Sequence, residues 1–253
     1  MTIQVAGLSS SRKTPGIYLA AIVGGVPTSA GEVPEKIILL GNKITSNITA
    51  ASPSFTVTAG TQANATPVFI ASADDAASYF GRGSELHREA IRLFEQQPDA
   101  LVYAVATAES GGARASVICT FATTATGAFT VRVRMAGKTF DVAVASGDTA
   151  TVIATAVANA ILDEVDLPVT AQFSVGALTI SAKHPGPRGN AYHARLSFVD
   201  SAGRETTITT GSTSSGNATT GILSGGAAEG GVYLFTGGTT QDDVTAGLAG
   251  IAA

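Results

Sequence analysis

His87, His184, His193 and the single Cys119 are all the imidazole and thiol groups in 253 residues. Any metal or nucleophilic chemistry would draw on them first. His87 falls in a helical stretch with no second histidine four residues away, so the paired ligands of a zincin helix are absent. His184 precedes Pro185-Gly186-Pro187 and reads as a turn residue, while His193 alternates to the outward side of a strand. Structural or solvated roles outweigh ligation at all three. Cys119 lies in the strand-like Ser116-Val117-Ile118-Cys119-Thr120-Phe121, where a free thiol behaves as a small hydrophobe. One cysteine rules out an intrachain disulfide. Asp74-Asp75 and Asp242-Asp243 sit near helix starts, where negative charge complements the N-terminal dipole. Gly81-Arg82-Gly83-Ser84 precedes a helix and could cradle a phosphate, but it lacks the Gly-Lys-Ser/Thr ending of a P-loop. A tight helix–helix turn is the better reading. No Gly-x-Ser-x-Gly elbow occurs. The triplets at Asn47, Asn64 and Asn217 match a glycosylation pattern that a Thr-rich chain produces by chance. The sequence therefore predicts no catalytic residue, no metal and no cofactor: this is not an enzyme.

The elements around these residues carry more information. Phe129, Val131, Val133 and Met135 face one way, with Thr130, Arg132 and Arg134 between them. After an Ala136-Gly137 turn, Phe140, Val142 and Val144 repeat the alternation. A helix is predicted over 149–162, entered through the cap-like Ser146-Gly147-Asp148 and presenting Ile153, Val157 and Ile161. Leu178, Ile180 and Ala182, then Tyr192, Ala194, Leu196 and Phe198, alternate again. Period-two alternation buries one face per strand, so the helix should cover one sheet face. Upstream, 36–42 reads as a buried strand, 45–62 as loop with a short strand at 55–57, and 67–71 as another strand. A short helix over 74–79 stops at Gly81. Ser84 caps the clearest helix, 85–96, with Leu86, Ala90, Leu93, Ile91 and Phe94 inward, and 101–106 is a buried strand. Strand, helix and strand in this order predict an α/β unit with a parallel crossover.

Composition excludes several classes. Charged residues are 13% of the chain, too few for a disordered segment. The net charge is −4 without a Lys/Arg run, which argues against nucleic acid. The longest apolar stretch, 17–26, falls short of the roughly 20 residues a spanning helix needs, so no membrane insertion is expected. The N-terminus does not read as a secretory signal, since Arg12 and Lys13 come late and Pro15-Gly16 interrupts the apolar segment. The absence of Trp and 6% aromatic content give no sugar- or base-stacking surface.

The residue pattern resembles the contractile tail sheath proteins of Mu-like bacteriophages. The likeness lies in Gly137-Lys138-Thr139-Phe140-Asp141-Val142-Ala143-Val144, Gly147-Asp148-Thr149-Ala150 and Asp166-Leu167-Pro168-Val169-Thr170-Ala171. It continues in Leu178-Thr179-Ile180-Ser181-Ala182-Lys183-His184 and Gly189-Asn190. Ile37-Ile38-Leu39-Leu40-Gly41 and Ala76-Ala77-Ser78-Tyr79-Phe80-Gly81-Arg82-Gly83-Ser84 precede them in the same order. Each motif alone is weak, and their order from about 15 to 253 makes the signal specific.

The resemblance implies a sheath subunit that polymerises as stacked rings or a helix around a tail tube. Its partners would be neighbouring subunits, the tube protein, the baseplate and the tail terminator. It would reside in the virion and be assembled in the host bacterial cytoplasm. The family's domain described as subtilisin-like implies a fold likeness and no protease triad. The fold class expected is α+β or α/β: a mixed α/β core domain interrupted by a β-rich insertion domain with one packed helix. Residues 1–27 form an N-terminal arm and first strand, and 28–110 the α/β core portion. Residues 111–228 form the insertion, with 206–221 a low-complexity hairpin or loop. Residues 229–253 return toward a C-terminal domain, with a helix over 239–252. By the resemblance, the chain is the N-terminal part of a longer protein whose tube contacts lie beyond it.

Ile17, Tyr18 and Leu19 are the candidate intersubunit contacts, because an extended arm beside a β-prone segment suits strand addition to a neighbour. An ordinary frayed terminus and first strand fits those residues equally well. A different class, a secreted β-domain adhesin or surface-layer protein, would share the Thr/Gly/Ala richness. It should also show tandem β-domains of similar pattern, which this chain lacks.

Overall fold

Buried residues alternate with less buried ones along 114–121, 129–135 and most of 177–185, and helix starts fall where a serine or threonine can cap them. The computed structural model describes residues 16–18, 36–109, 111–121, 124–174, 177–207, 223–224 and 232–240. These divide into two compact units, one holding those up to 47 and 57–109, the other 48–56 and 111–240. The architecture is mixed, with helices and strands in both. Among the described residues no helix is long and apolar enough to cross a membrane.

The first unit contains β1 (Gly16–Tyr18) and β2 (Lys36–Asn42). The hairpin β3 (Ile48–Ala51) and β4 (Ser54–Val57) follows, with most of it grouped in the second unit. Then come β5 (Val68–Ile70), α1 (Ala73–Phe80), α2 (Glu85–Gln96) and β6 (Leu101–Thr107). The sheet order is β1-β2-β6-β5. The expected parallel crossover exists between β2 and β6, from Lys36↔Leu101 to Asn42↔Thr107. The strand immediately before the helices, β5, is instead antiparallel to β6. The reason is the pair of packed helices between them, whose tight turn reverses the chain once more than a single crossover helix would.

Ile37, Leu39, Val102 and Ala104 pack with Phe80, Leu86 and Ala90 in this unit's core. The Ser72 hydroxyl accepts from the Asp75 amide at 3.1 Å, and the Asp75 carboxylate accepts from the Ala71 amide at 3.0 Å. Ser84 caps α2 as expected, accepting from the His87 amide at 3.2 Å.

The second unit runs through β7 (Arg114–Phe121), β8 (Phe129–Met135), β9 (Lys138–Val144) and α3 (Ala150–Asp163). It continues with β10 (Val169–Ser174), β11 (Ala177–Pro185), β12 (His193–Val199) and β13 (Glu205–Thr207). The short strands β14 (Leu223–Ser224) and β15 (Val232–Leu234) complete it. In place of one covered sheet there are two. One has the order β10-β11-β7-β14; the other runs β13-β12-β8-β9, with β15 also on β12. Their inward residues and those of α3 form one core, from Val117 and Ile180 through Ile153, Val157 and Ile161 to Val131, Leu196 and Phe198. An antiparallel bridge between Ser116 and Thr236 joins the sheets, and α3 packs on β9, β10, β11 and β7.

Several local readings change. The cap of α3 is Thr149, whose hydroxyl accepts from the Val152 amide at 3.4 Å. Asp148 instead closes the preceding turn by accepting from the Ala145 amide at 2.7 Å. His184 is in β11, not in a turn, because the register shift between Ser181 and Pro185 lets the strand run to the proline. Tyr192 precedes β12 and does not belong to it. The region read as loop with one short strand holds the two-stranded hairpin β3–β4, and the carbonyl of Ser52 at its tip accepts from the Phe173 amide on β10 at 2.9 Å. That contact occupies part of a sheet edge that would otherwise be open.

The β8–β9 turn is the two-residue kind, with Ala136 at φ +48 and Gly137 at φ +81. At the ends of the unit the Ala113 amide donates to the Thr239 hydroxyl at 3.0 Å, and the Thr239 amide donates back to the Ala113 carbonyl at 3.2 Å. The arm at 1–14, Leu19 and most of 206–221 lie outside the described residues. Of the expected helix over 239–252 only Thr239 and Thr240 are described, and neither is helical.

Candidate assembly site

The groups that could do chemistry are dispersed and already engaged. His87 is buried in α2, and its Nδ1 accepts from the Gly83 amide at 3.0 Å. The Ser84 amide donates to the Gly81 carbonyl at 3.2 Å. The amides that might have held a phosphate in Gly81-Arg82-Gly83-Ser84 therefore serve the turn, in which Gly81 (φ +87) and Gly83 (φ +75) adopt the left-handed backbone. His193 is exposed and His184 half-buried. Burial pushes the Cys119 thiol well above its usual range, so it does not supply a thiolate. Among the described residues no group of three or more His, Cys, Asp or Glu could hold a metal ion.

The C-terminal ends of parallel strands are where α/β sheets often open a ligand crevice. Here that place is closed. The Asn42 amide donates to Glu85 Oε2 at 3.0 Å, and the Thr107 hydroxyl donates to Asn42 Oδ1, with Asn42 and Thr107 buried. A Cβ at Gly41 would come within 3.1 Å of the Glu85 carboxylate, so the helix start sits directly on the strand end.

Surfaces, then, are what this chain offers. Ile17 and Tyr18 lie in β1, which pairs antiparallel along the edge of β2 with Ile17 opposite Leu39 and Tyr18 opposite Ile38. Leu19 falls outside the described residues. Within the second unit, the outward side of β8, β9 and β12 carries an ion-pair network that the sequence reading left unassembled. Arg132 grips Asp141 with two bonds of 2.7 Å, Arg134 pairs with Glu205, and the Ser197 hydroxyl donates to Glu205 at 2.6 Å. Hydrogen bonds from Arg134 and Ser197 hold the Glu205 carboxyl down at about 2, and the Arg132 hydrogen bond lowers Asp141. The signal was present: a two-residue turn at Ala136-Gly137 fixes Met135 opposite Lys138, and hence Arg132 opposite Asp141. Near the β8–β9 turn, Met135, Val169, Tyr192, His193 and Phe235 line an apolar pocket of about 90 Å³.

Among the described residues no built catalytic or ligand site is found, and likeness to known proteins decides the direction. Over 204 residues the chain is 28% identical to the Mu-like prophage FluMu tail sheath protein of Haemophilus influenzae. The chain is similar to a phage tail sheath protein. The matched segment is 78% of this chain and 38% of that protein, so the chain spans well under half the length of the curated relative it matches. No protein-family profile matches the chain.

Proposed function

We propose that this chain is part of a structural subunit of a contractile phage tail sheath, one that polymerises around a tail tube and contracts to drive the tube through the host envelope. The observation that carries this reading is the 28% identity to a tail sheath protein over 204 residues. In this reading its partners are neighbouring sheath subunits in stacked rings or a helix, the tube, the baseplate and the terminator. Its place is the virion, after assembly in the host cytoplasm. No chemistry is asked of the chain: the work comes from interface energy stored in a bistable packing.

Two features of the fold support the finer reading. Among the described residues, Gly16, Ile17 and Tyr18 of β1 pair with the edge of β2 through main-chain bonds. A neighbour's strand could take the same edge, which makes Ile17, Tyr18 and Leu19 the proposed linking residues and 1–14 the tether. The paired ends of the second unit, Ala113 and Thr239, support an inserted β-rich domain that begins near 111 and runs to about 239, past the expected end at 228, within a core begun by 28–110 and resumed beyond it.

The test is negative-stain electron microscopy of the full-length protein, alone and then co-expressed with its tube protein. Hollow striated cylinders are expected, and deleting 1–14 should loosen the linkage between subunits. Persistent monomers even with the tube present would overturn the reading and favour a secreted adhesin or surface-layer protein.

A further inference from the structure

We infer that the pocket end of the β-rich unit is a contact surface for a second copy of this chain, with the acidic corner after α3 on one copy meeting the basic corner of β12 on the other. Two local conflicts in the fold point there. Helix α3 ends in Asp163, with no basic residue in the last turn, and is followed at the cap by Glu164, whose carboxylate pairs with Lys138 at 3.5 Å and so leaves Asp163 as the uncompensated charge. Negative charge at a helix C-terminus opposes the dipole. On β12, Arg195 lies directly opposite Arg134 in the ladder, and like charges facing across a strand pair repel. Both nearby carboxylates are taken, Glu205 by Arg134 and Asp141 by Arg132. Asp163 and Arg195 are exposed, and neither has an ion pair among the described residues. Each conflict is unfavourable inside one molecule and would be relieved by the other on a neighbouring molecule. Positions where a sequence breaks local rules without internal compensation are where function is expected.

The apolar surface between them agrees. Pro168 and Val169, just beyond the acidic corner, line the pocket together with His193 and Phe235 at the start of β12 and the end of β15. Val165 in the acidic loop is 49% exposed, and Leu234, opposite His193 on β15, is 54% exposed. Apolar residues at the centre with opposite charges at the margins give the composition of an interface core and rim. The occupant is a second copy because both complementary signs flank the pocket residues along the chain, Asp163 five residues before Pro168 and Arg195 two residues after His193 on β12. The inference stands on these residues and not on the sheath reading.

Sedimentation velocity of the full chain over a range of concentrations tests it. The parent should self-associate, and Asp163→Arg or Arg195→Glu should each weaken association by about tenfold. Mixing the two variants in equal amounts should restore it, since Asp163 of one then meets Arg195 of the other and the two introduced charges meet likewise. Should either reversal lower the melting temperature, Val165→Ser replaces it and must weaken association as well. A parent that stays monomeric, reversals without effect, or a mixture that fails to recover would each overturn the inference. Tubes are read by microscopy and this contact by sedimentation, so failure of one is distinct from failure of the other.

Discussion

Lys183→Met should loosen the loop between α3 and β10 by an amount the structure fixes. Lys183 is 2% exposed, and its Nζ donates to the Val165 carbonyl at 2.7 Å. Its own amide donates to the Pro168 carbonyl at 2.8 Å, so one residue of β11 pins the segment at two points. Methionine keeps the length of the stem and the backbone bond but removes the ammonium. A hydrogen bond to a charged donor contributes about 1.5–3 kcal/mol, and the Val165 carbonyl would lose this donor near the protein interior. Extra apolar contact from the thioether returns part of this, leaving a net loss of about 2 kcal/mol.

Amide hydrogen exchange resolves such local opening. At about 1.4 kcal/mol per factor of ten, the Leu167 and Lys183 amides should exchange roughly 30-fold faster. Both are bonded in the parent, to the Glu164 and Pro168 carbonyls. Arg204→Met is the control, because Arg204 is 81% exposed and, among the described residues, pairs with Asp200 on the surface. It should shift exchange by less than about twofold. If Lys183→Met also leaves exchange within twofold of the parent, the buried ammonium is not what holds the loop, and the reasoning fails.

Two further outcomes follow from the second unit. Ala136 sits at φ +48 in the β8–β9 turn, so Ala136→Gly should raise stability by about 1 kcal/mol, seen as a rise of roughly 2–4 °C in the melting temperature. Glu205 is held at about 2 against an ordinary 4.5, so the stability it contributes is complete above pH 4.5 and is lost as pH falls toward 2. Acid titration of the parent should show that slope, and Glu205→Gln should flatten it; an unchanged slope would remove the network from the account.

What could be read from the sequence was local. Ser84 and Pro98 bracket α2 to the residue. The alternation of β8 and β9 with a two-residue turn fixes both strands and their register. The strands that escaped reading lack such a pattern. In β10, Val169, Thr170 and Ala171 are all buried, so no alternation announces it. In β3 the half-buried Ile48 and Ala50 stand in a strand of four residues, too short a run for alternation to announce it. The antiparallel direction of β5 and the Ser116–Thr236 bridge depend on partners far along the chain, which no window of sequence contains. Pro-Gly-Pro signals a turn at His184, whereas the register shift after Ser181 lets Pro185 pair opposite Arg114. At the candidate surface, residue types gave the charges, but their lack of partners is a property of the assembled ladder. Among the described residues Arg195 is left without an ion pair because Glu205 reaches Arg134.

The mutual hydrogen bonds of Ala113 and Thr239 also bear on mechanics. A segment whose two ends are held side by side is not lengthened when both ends are pulled together. The β3–β4 hairpin, which belongs to the same unit but is reached from the chain before 48 and left after 56, is a second place at which the flanking chain enters it, through the Ser52 bond to Phe173. A module of different size could ride in its place if its own two ends met side by side and it offered that hairpin an edge.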